Sequence, residues 1–103
     1  MNESENRILD ILDGRTLIIG REGHVYIGDP SVSKQHAEIS ISGGRIRLRD
    51  LKSTNGTFIV KQDEEIPLED GYVDLHQTIM MGAHRLQVRS LLEAIGAISG
   101  ATD

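Results

Sequence analysis

Three short runs gather the residue types that can hold an anion. They are Gly20-Arg21, then Ser31-Val32-Ser33-Lys34-Gln35-His36-Ala37, then Asp50-Leu51-Lys52-Ser53-Thr54-Asn55-Gly56-Thr57-Phe58. Each run is mostly glycine, hydroxyl, amide or cation, and each is flanked by alternating apolar residues. Strands that end in such loops can aim several donors at one phosphate, which is what a binding site for that group requires. Arg21 offers a planar fork of N–H donors, and Gly20 before it lets the backbone turn or approach another segment closely. Ser33 supplies a hydroxyl and Lys34 a mobile point charge. The Thr54 hydroxyl can donate to an anion. The Asn55 amide can both donate to and accept from a peptide backbone, so it sets register without reading a side chain. Gly56 is expected at positive φ in the turn after Asn55, although Asn55-Gly56 would serve equally in a plain hairpin turn.

The pairing of Ser33 with His36 invites a nucleophile and general base. No carboxylate follows at a spacing that would orient the imidazole, so His36 reads as a structural histidine. The chain has no paired acidic residues of catalytic type, no Gly-x-Ser-x-Gly elbow and no Walker loop. Its histidines, at 24, 36, 76 and 84, lack zinc-site spacing, and it contains no cysteine. Catalytic residues, a metal and a cofactor are therefore not expected.

The elements that must position these loops repeat every two residues rather than every 3.6. Arg45-Ile46-Arg47-Leu48-Arg49 alternates with Ile46 and Leu48 inward, and Ala37 to Ser42 alternates likewise. Gly43-Gly44 between them predicts a hairpin. Further turn signals stand at Asp13-Gly14, Glu22-Gly23, Gly28-Asp29-Pro30, Asn55-Gly56, Asp70-Gly71 and Met81-Gly82-Ala83. Strands are predicted near 7–12, 15–19, 24–27, 36–42, 45–49, 57–60, 72–75, 78–81 and 84–90, giving an all-β sandwich of two mostly antiparallel sheets. Residues 61–71 read as an acidic loop with a brief strand at Ile66-Pro67-Leu68. Residues 1–6 read as a polar disordered tail, 7–90 as one domain, and 91–103 as a C-terminal helix, linker or tail.

With 103 residues, of which 38% are hydrophobic, the chain has enough for one core. Tyr26, Phe58 and Tyr72 are the only aromatics, so that core must be aliphatic. No run approaches the ~20 apolar residues of a membrane span, and no secretory signal is visible, so membrane insertion is not expected and a cytoplasmic location is. The net charge of −5 hides an asymmetry: residues 15–61 carry +4 and the remainder −9. A small cationic zone in an acidic chain suits one phosphoryl group and is too narrow for nucleic acid.

Gly20-Arg21, Ser33-Lys34-Gln35-His36 and Ser53-Thr54-Asn55-Gly56-Thr57, in this order and with strand-like spacers, resemble the forkhead-associated (FHA) domain over roughly residues 7–90. The apolar stretch from Leu75 to Gly82 fits the same pattern. The resemblance implies an FHA/SMAD-like sandwich whose loops at one end bind phosphothreonine peptides. Arg21, Ser33, Lys34, Thr54 and Asn55 would form that site, with Gly20, His36 and Gly56 in support. It further implies that Ser33, Lys34 and Thr54 touch phosphate, that Asn55 clamps the peptide main chain, and that a buried His36 holds the serine loop. Threonine would be preferred over serine through a small pocket for its methyl. The implied role is recruitment of a phosphorylated partner, such as a Ser/Thr kinase substrate, in signalling. The alternative is an FHA-like scaffold module of a larger assembly, such as a bacterial secretion system, that docks a partner independently of phosphate. Two departures stand out: a short Arg21–Ser33 segment bearing Tyr26, and the acidic loop at 62–70.

Overall fold

A computed structural model describes residues 3–98. The alternating runs form nine strands: β1 (Thr16–Gly20), β2 (Val25–Tyr26), β3 (Ala37–Ser42), β4 (Arg45–Asp50), β5 (Thr57–Lys61), β6 (Glu64–Pro67), β7 (Asp70–Val73), β8 (Thr78–Met81) and β9 (His84–Gln87). They make two sheets, ordered β2-β1-β3-β4-β7 and β6-β5-β8-β9. Every pairing is antiparallel except that of β1 with the short β2. Alternation decides which side chains go inward. Ile39 and Ile41 of β3, Ile46 and Leu48 of β4, and Ile79 and Met81 of β8 are buried in one aliphatic core. Arg45, Arg47 and Arg49 face outward, as expected.

Two helices complete the domain, α1 (Glu3–Ile11) and α2 (Val88–Ile98). The strand expected over 7–12 is instead the second half of α1 and the start of the turn that follows it at Leu12. Leu9 and Leu12, three residues apart, are buried on one side, while Ile11 is exposed. That is helical spacing. The helix also takes in Glu3 to Asn6, part of the stretch expected as a disordered tail, while Met1 and Asn2 lie outside the described residues. At its end the Asp13 carboxylate accepts the Gly43 N–H (2.7 Å), and the Gly14 N–H donates to the Ile41 carbonyl (2.7 Å). The helix is thereby tied to the β3–β4 hairpin. The last strand stops at Gln87 rather than continuing to 90. From Val88 the chain winds into α2, which buries Val88, Leu91, Leu92 and Ile95. Among the described residues no helix is long and apolar enough to cross a membrane.

The acidic loop is also corrected. Glu64–Pro67 pairs with β5 as an edge strand, every residue of it exposed, and Asp70–Val73 pairs with β4. Its glutamates and Pro67 blunt an edge that would otherwise present unpaired backbone groups.

Candidate anion-binding site

The three runs meet at one end of the sandwich, and the meeting depends on Gly20. This residue ends β1 with its backbone against the Ser33-Lys34 peptide. The Arg21 N–H donates to the Ser33 carbonyl (3.1 Å) and the Glu22 N–H to the Lys34 carbonyl (2.9 Å). A Cβ on Gly20 would lie 2.3 Å from the Lys34 carbonyl oxygen and 2.7 Å from that of Ser33, well inside contact distance. No other residue fits without moving the serine loop. The segment after Arg21 is as tight as its length implies. The Gly23 N–H turns back to the Gly20 carbonyl (3.3 Å), and His24 Nδ1 accepts the Ile18 N–H (2.9 Å). Tyr26 is 72% exposed.

Arg21 donates from Nε to the Val32 carbonyl (2.6 Å), which holds the guanidinium beside the serine loop and leaves its two terminal nitrogens for an anion. Ser33 Oγ accepts the Thr54 N–H (3.0 Å), joining the second run to the third. The serine hydroxyl hydrogen stays available as a donor. Asn55 Nδ2 donates to the Ser31 carbonyl (2.8 Å), leaving one N–H and the carbonyl oxygen of its amide for a second partner. Lys34 lies 3.9 Å from the Glu22 carboxylate, both side chains 64% exposed. Arg21, Ser33, Lys34, Thr54 and Asn55 together line one open depression of about 460 Å³.

His36 explains how the depression keeps its shape. It is fully buried. Nδ1 accepts the Ser33 N–H (3.0 Å), and Nε2 stands 2.9 Å from the Gly56 carbonyl, so the ring proton sits on Nε2 and donates there. Both ring nitrogens are thus spent on backbone, and neither reaches Ser33 Oγ. The geometry is that of a brace between two loops, not of a base beside a nucleophile. Gly56 adopts φ +89°, the left-handed turn that puts its carbonyl under the imidazole.

Three supporting residues had no assigned role in the sequence. Asp50 accepts from Ser53 Oγ (2.6 Å), Thr57 Oγ1 (2.7 Å) and the Ser53 N–H (3.0 Å). Burial pushes its carboxyl up, but these hydrogen bonds outweigh burial and hold it below the ordinary aspartate value. Asp29 accepts both the N–H (2.9 Å) and the Oγ–H (2.7 Å) of Ser31, and these bonds, the backbone one foremost, lower its carboxyl too. Ser31 Oγ in turn accepts the Ala83 N–H (2.8 Å), tying the loop to the β8–β9 turn. The signals were the Asp-x-Ser and Asp-x-x-Ser spacings at which an aspartate caps a nearby backbone N–H. Lys52 lines the depression as well, and spacing alone did not single it out.

The fold is thus a two-sheet sandwich with candidate donors from three separate loops around one open depression, the architecture of the FHA class. The FHA domain model matches residues 17–78, and the chain belongs to that family. Among curated proteins it is similar to the glycogen accumulation regulator GarA of Mycolicibacterium smegmatis, with 28% identity over 74% of this chain and 47% of that protein. It is also similar to the oxoglutarate dehydrogenase inhibitor of Corynebacterium efficiens, with 31% identity over 74% of this chain and 52% of that protein. The chain thus spans about half the length of these relatives. A solved domain from a study of phosphothreonine-dependent FHA domain interactions superposes with a TM-score of 0.62, at 30% identity over 70% of this chain and 73% of that one.

Proposed function

We propose that this domain binds a phosphothreonine-containing segment of a protein partner at the loop end of its sandwich and so recruits that partner in signalling. One observation carries the reading: the candidate donors of three separated segments line a single depression, with Ser33 and Arg21 already held in place by Thr54 and Val32. A phosphate on threonine brings about −1.5 to −2 charges and three acceptor oxygens. Arg21, the hydroxyls of Ser33 and Thr54, and Lys34 can meet them, while the unspent half of the Asn55 amide takes the peptide main chain. Charge-assisted hydrogen bonds contribute about 1.5–3 kcal/mol each before ordering costs, so an open site of this size supports affinities of about 1 μM. Such a role belongs where Ser/Thr kinases meet their substrates, in the cytoplasm. The relatives that are regulators, and the solved domain from work on phosphothreonine dependence, support the same role. The test is fluorescence anisotropy against an oriented phosphothreonine peptide library with unphosphorylated controls. Binding of the phosphorylated pool alone, lost in Arg21→Ala while the fold is kept, is expected. Equal binding of both pools would instead identify a phosphate-independent scaffold.

A further inference from the structure

Among the described residues, every candidate cation of the site except one is engaged by a neighbouring group. Lys34 leans to Glu22 at 3.9 Å. Arg21 gives Nε to Val32. The neighbouring β4 arginines are also committed: Arg47 holds Asp70 through two bonds (2.7 and 2.6 Å), Arg49 stands 3.2 Å from Glu38, and Arg45 lies over the Tyr72 ring at 4.2 Å. Lys52 has no carboxylate within ion-pair distance among the described residues, although it lines the same depression as Arg21, Ser33 and Thr54. It also lines an adjoining hollow with Asp50, Glu69 and Asp70. Asp50 is engaged by Ser53 and Thr57 and Asp70 by Arg47, and neither these nor Glu69 form an ion pair with Lys52.

The backbone of Lys52 is the second observation. Its φ is +57°, in the left-handed region where glycine or asparagine sits at little cost and a long side chain does not. The turn demands the conformation, and the residue placed there is nonetheless a lysine. Gln62 and Asp63 share this conformation in an exposed hairpin turn, but Lys52 differs in lining the depression, and backbone strain clusters at ligand-binding positions. The third observation is charge. With Lys34 drawn toward Glu22, though only across an exposed and weak pair, a phosphate dianion gains from one further cation on the rim beside Arg21.

We propose that Lys52 is the second cation of this site, holding the phosphate with Arg21, and that Lys34 has the smaller share. The inference rests on the phosphate-binding reading above. It is tested by measuring Lys52→Asn, Lys34→Gln and Arg21→Ala side by side against two phosphothreonine peptides taken from the library screen, one with acidic and one with neutral flanks. Asparagine removes the charge while suiting the left-handed backbone, so urea unfolding should show Lys52→Asn at least as stable as the parent. Its affinity is expected to fall about tenfold for both peptides, the worth of one charge-assisted contact, and Lys34→Gln to fall less. Unchanged affinity in Lys52→Asn would overturn the proposal. A loss confined to the acidic-flank peptide would also overturn it, placing Lys52 on a flanking carboxylate instead. If the unaltered protein does not distinguish phosphorylated from unphosphorylated peptide, the underlying reading itself fails and takes this one with it.

Discussion

His36 and Arg21 stand in one site and should respond oppositely to truncation. His36 is buried with both nitrogens bonded to the backbone of two different loops. His36→Ala leaves the Ser33 N–H and the Gly56 carbonyl without their buried partner and opens a void. It should cost about 2–4 kcal/mol in urea unfolding. Arg21 is exposed and gives up one hydrogen bond to the Val32 carbonyl, so Arg21→Ala should cost about 1 kcal/mol while phosphopeptide binding disappears from anisotropy. Asp50 gives the loop an acid sensitivity. Its carboxyl titrates lower in the folded domain than in the unfolded chain. The stability it contributes is therefore complete above the unfolded value, about 3.9, and is lost as pH falls through the lower folded value. Urea midpoints should hold between about pH 7 and pH 5 and drop below about pH 4, and Asp50→Asn should flatten that drop. The donors around the depression were legible because arginine, serine and threonine announce phosphate chemistry by type. Asp50, Asp29 and Lys52 were not, because their contribution lies in which groups they face, or fail to face, once the loops have closed.

The strands were legible wherever one face meets the core and the other meets water. The alternation of Arg45–Arg49 could describe nothing else. Residues 7–12 misled because isoleucines and leucines at 8, 9, 11 and 12 satisfy a period of two and a period of 3.6 about equally, and only the partner decides. That partner is α2, whose apolar stripe of Leu91, Leu92 and Ile95 packs in the same cluster as Leu9 and Leu12. Leu92→Ala should therefore cost about 2–5 kcal/mol by urea unfolding, with phosphopeptide affinity unaltered under native conditions, because the site is built on other loops. The β5–β6 hairpin offers the reverse case. Gln62 and Asp63 both adopt positive φ, at 49° and 66°, in a tight turn that asparagine and glycine favour. Gln62→Asn with Asp63→Gly should raise stability by about 0.5–1 kcal/mol in the same measurement. The acidic composition of this stretch hid the hairpin, since glutamates are uncommon in strands unless the strand is an exposed edge.

The domain as a whole is an acidic body with one cationic rim. The arginines of β4 do little to widen that rim, because Asp70 and Glu38 pair with Arg47 and Arg49 and the Tyr72 ring lies beneath the Arg45 guanidinium. Phosphopeptide affinity should consequently fall several-fold as salt rises from about 0.05 to about 0.5 M, the range over which screening shortens from ~14 to ~4 Å. At low salt, peptides with basic flanks should bind more tightly than those with acidic ones, and an anisotropy titration at both salt levels would show either effect. Residue chemistry and the period of two belong to the chain read locally. They were enough to name the fold class and the family and to single out residues that line one depression, because a hydroxyl, a guanidinium or an alternating run carries its physics wherever it sits. Convergence was decided only by folding. Gly20, Ser33 and Thr54 are far apart along the chain and meet because β1 pairs with β3 and the β4–β5 loop crosses between the sheets beside them. Which lysine keeps a free charge and which histidine spends both nitrogens depends on neighbours brought from a distance, and no local pattern records those.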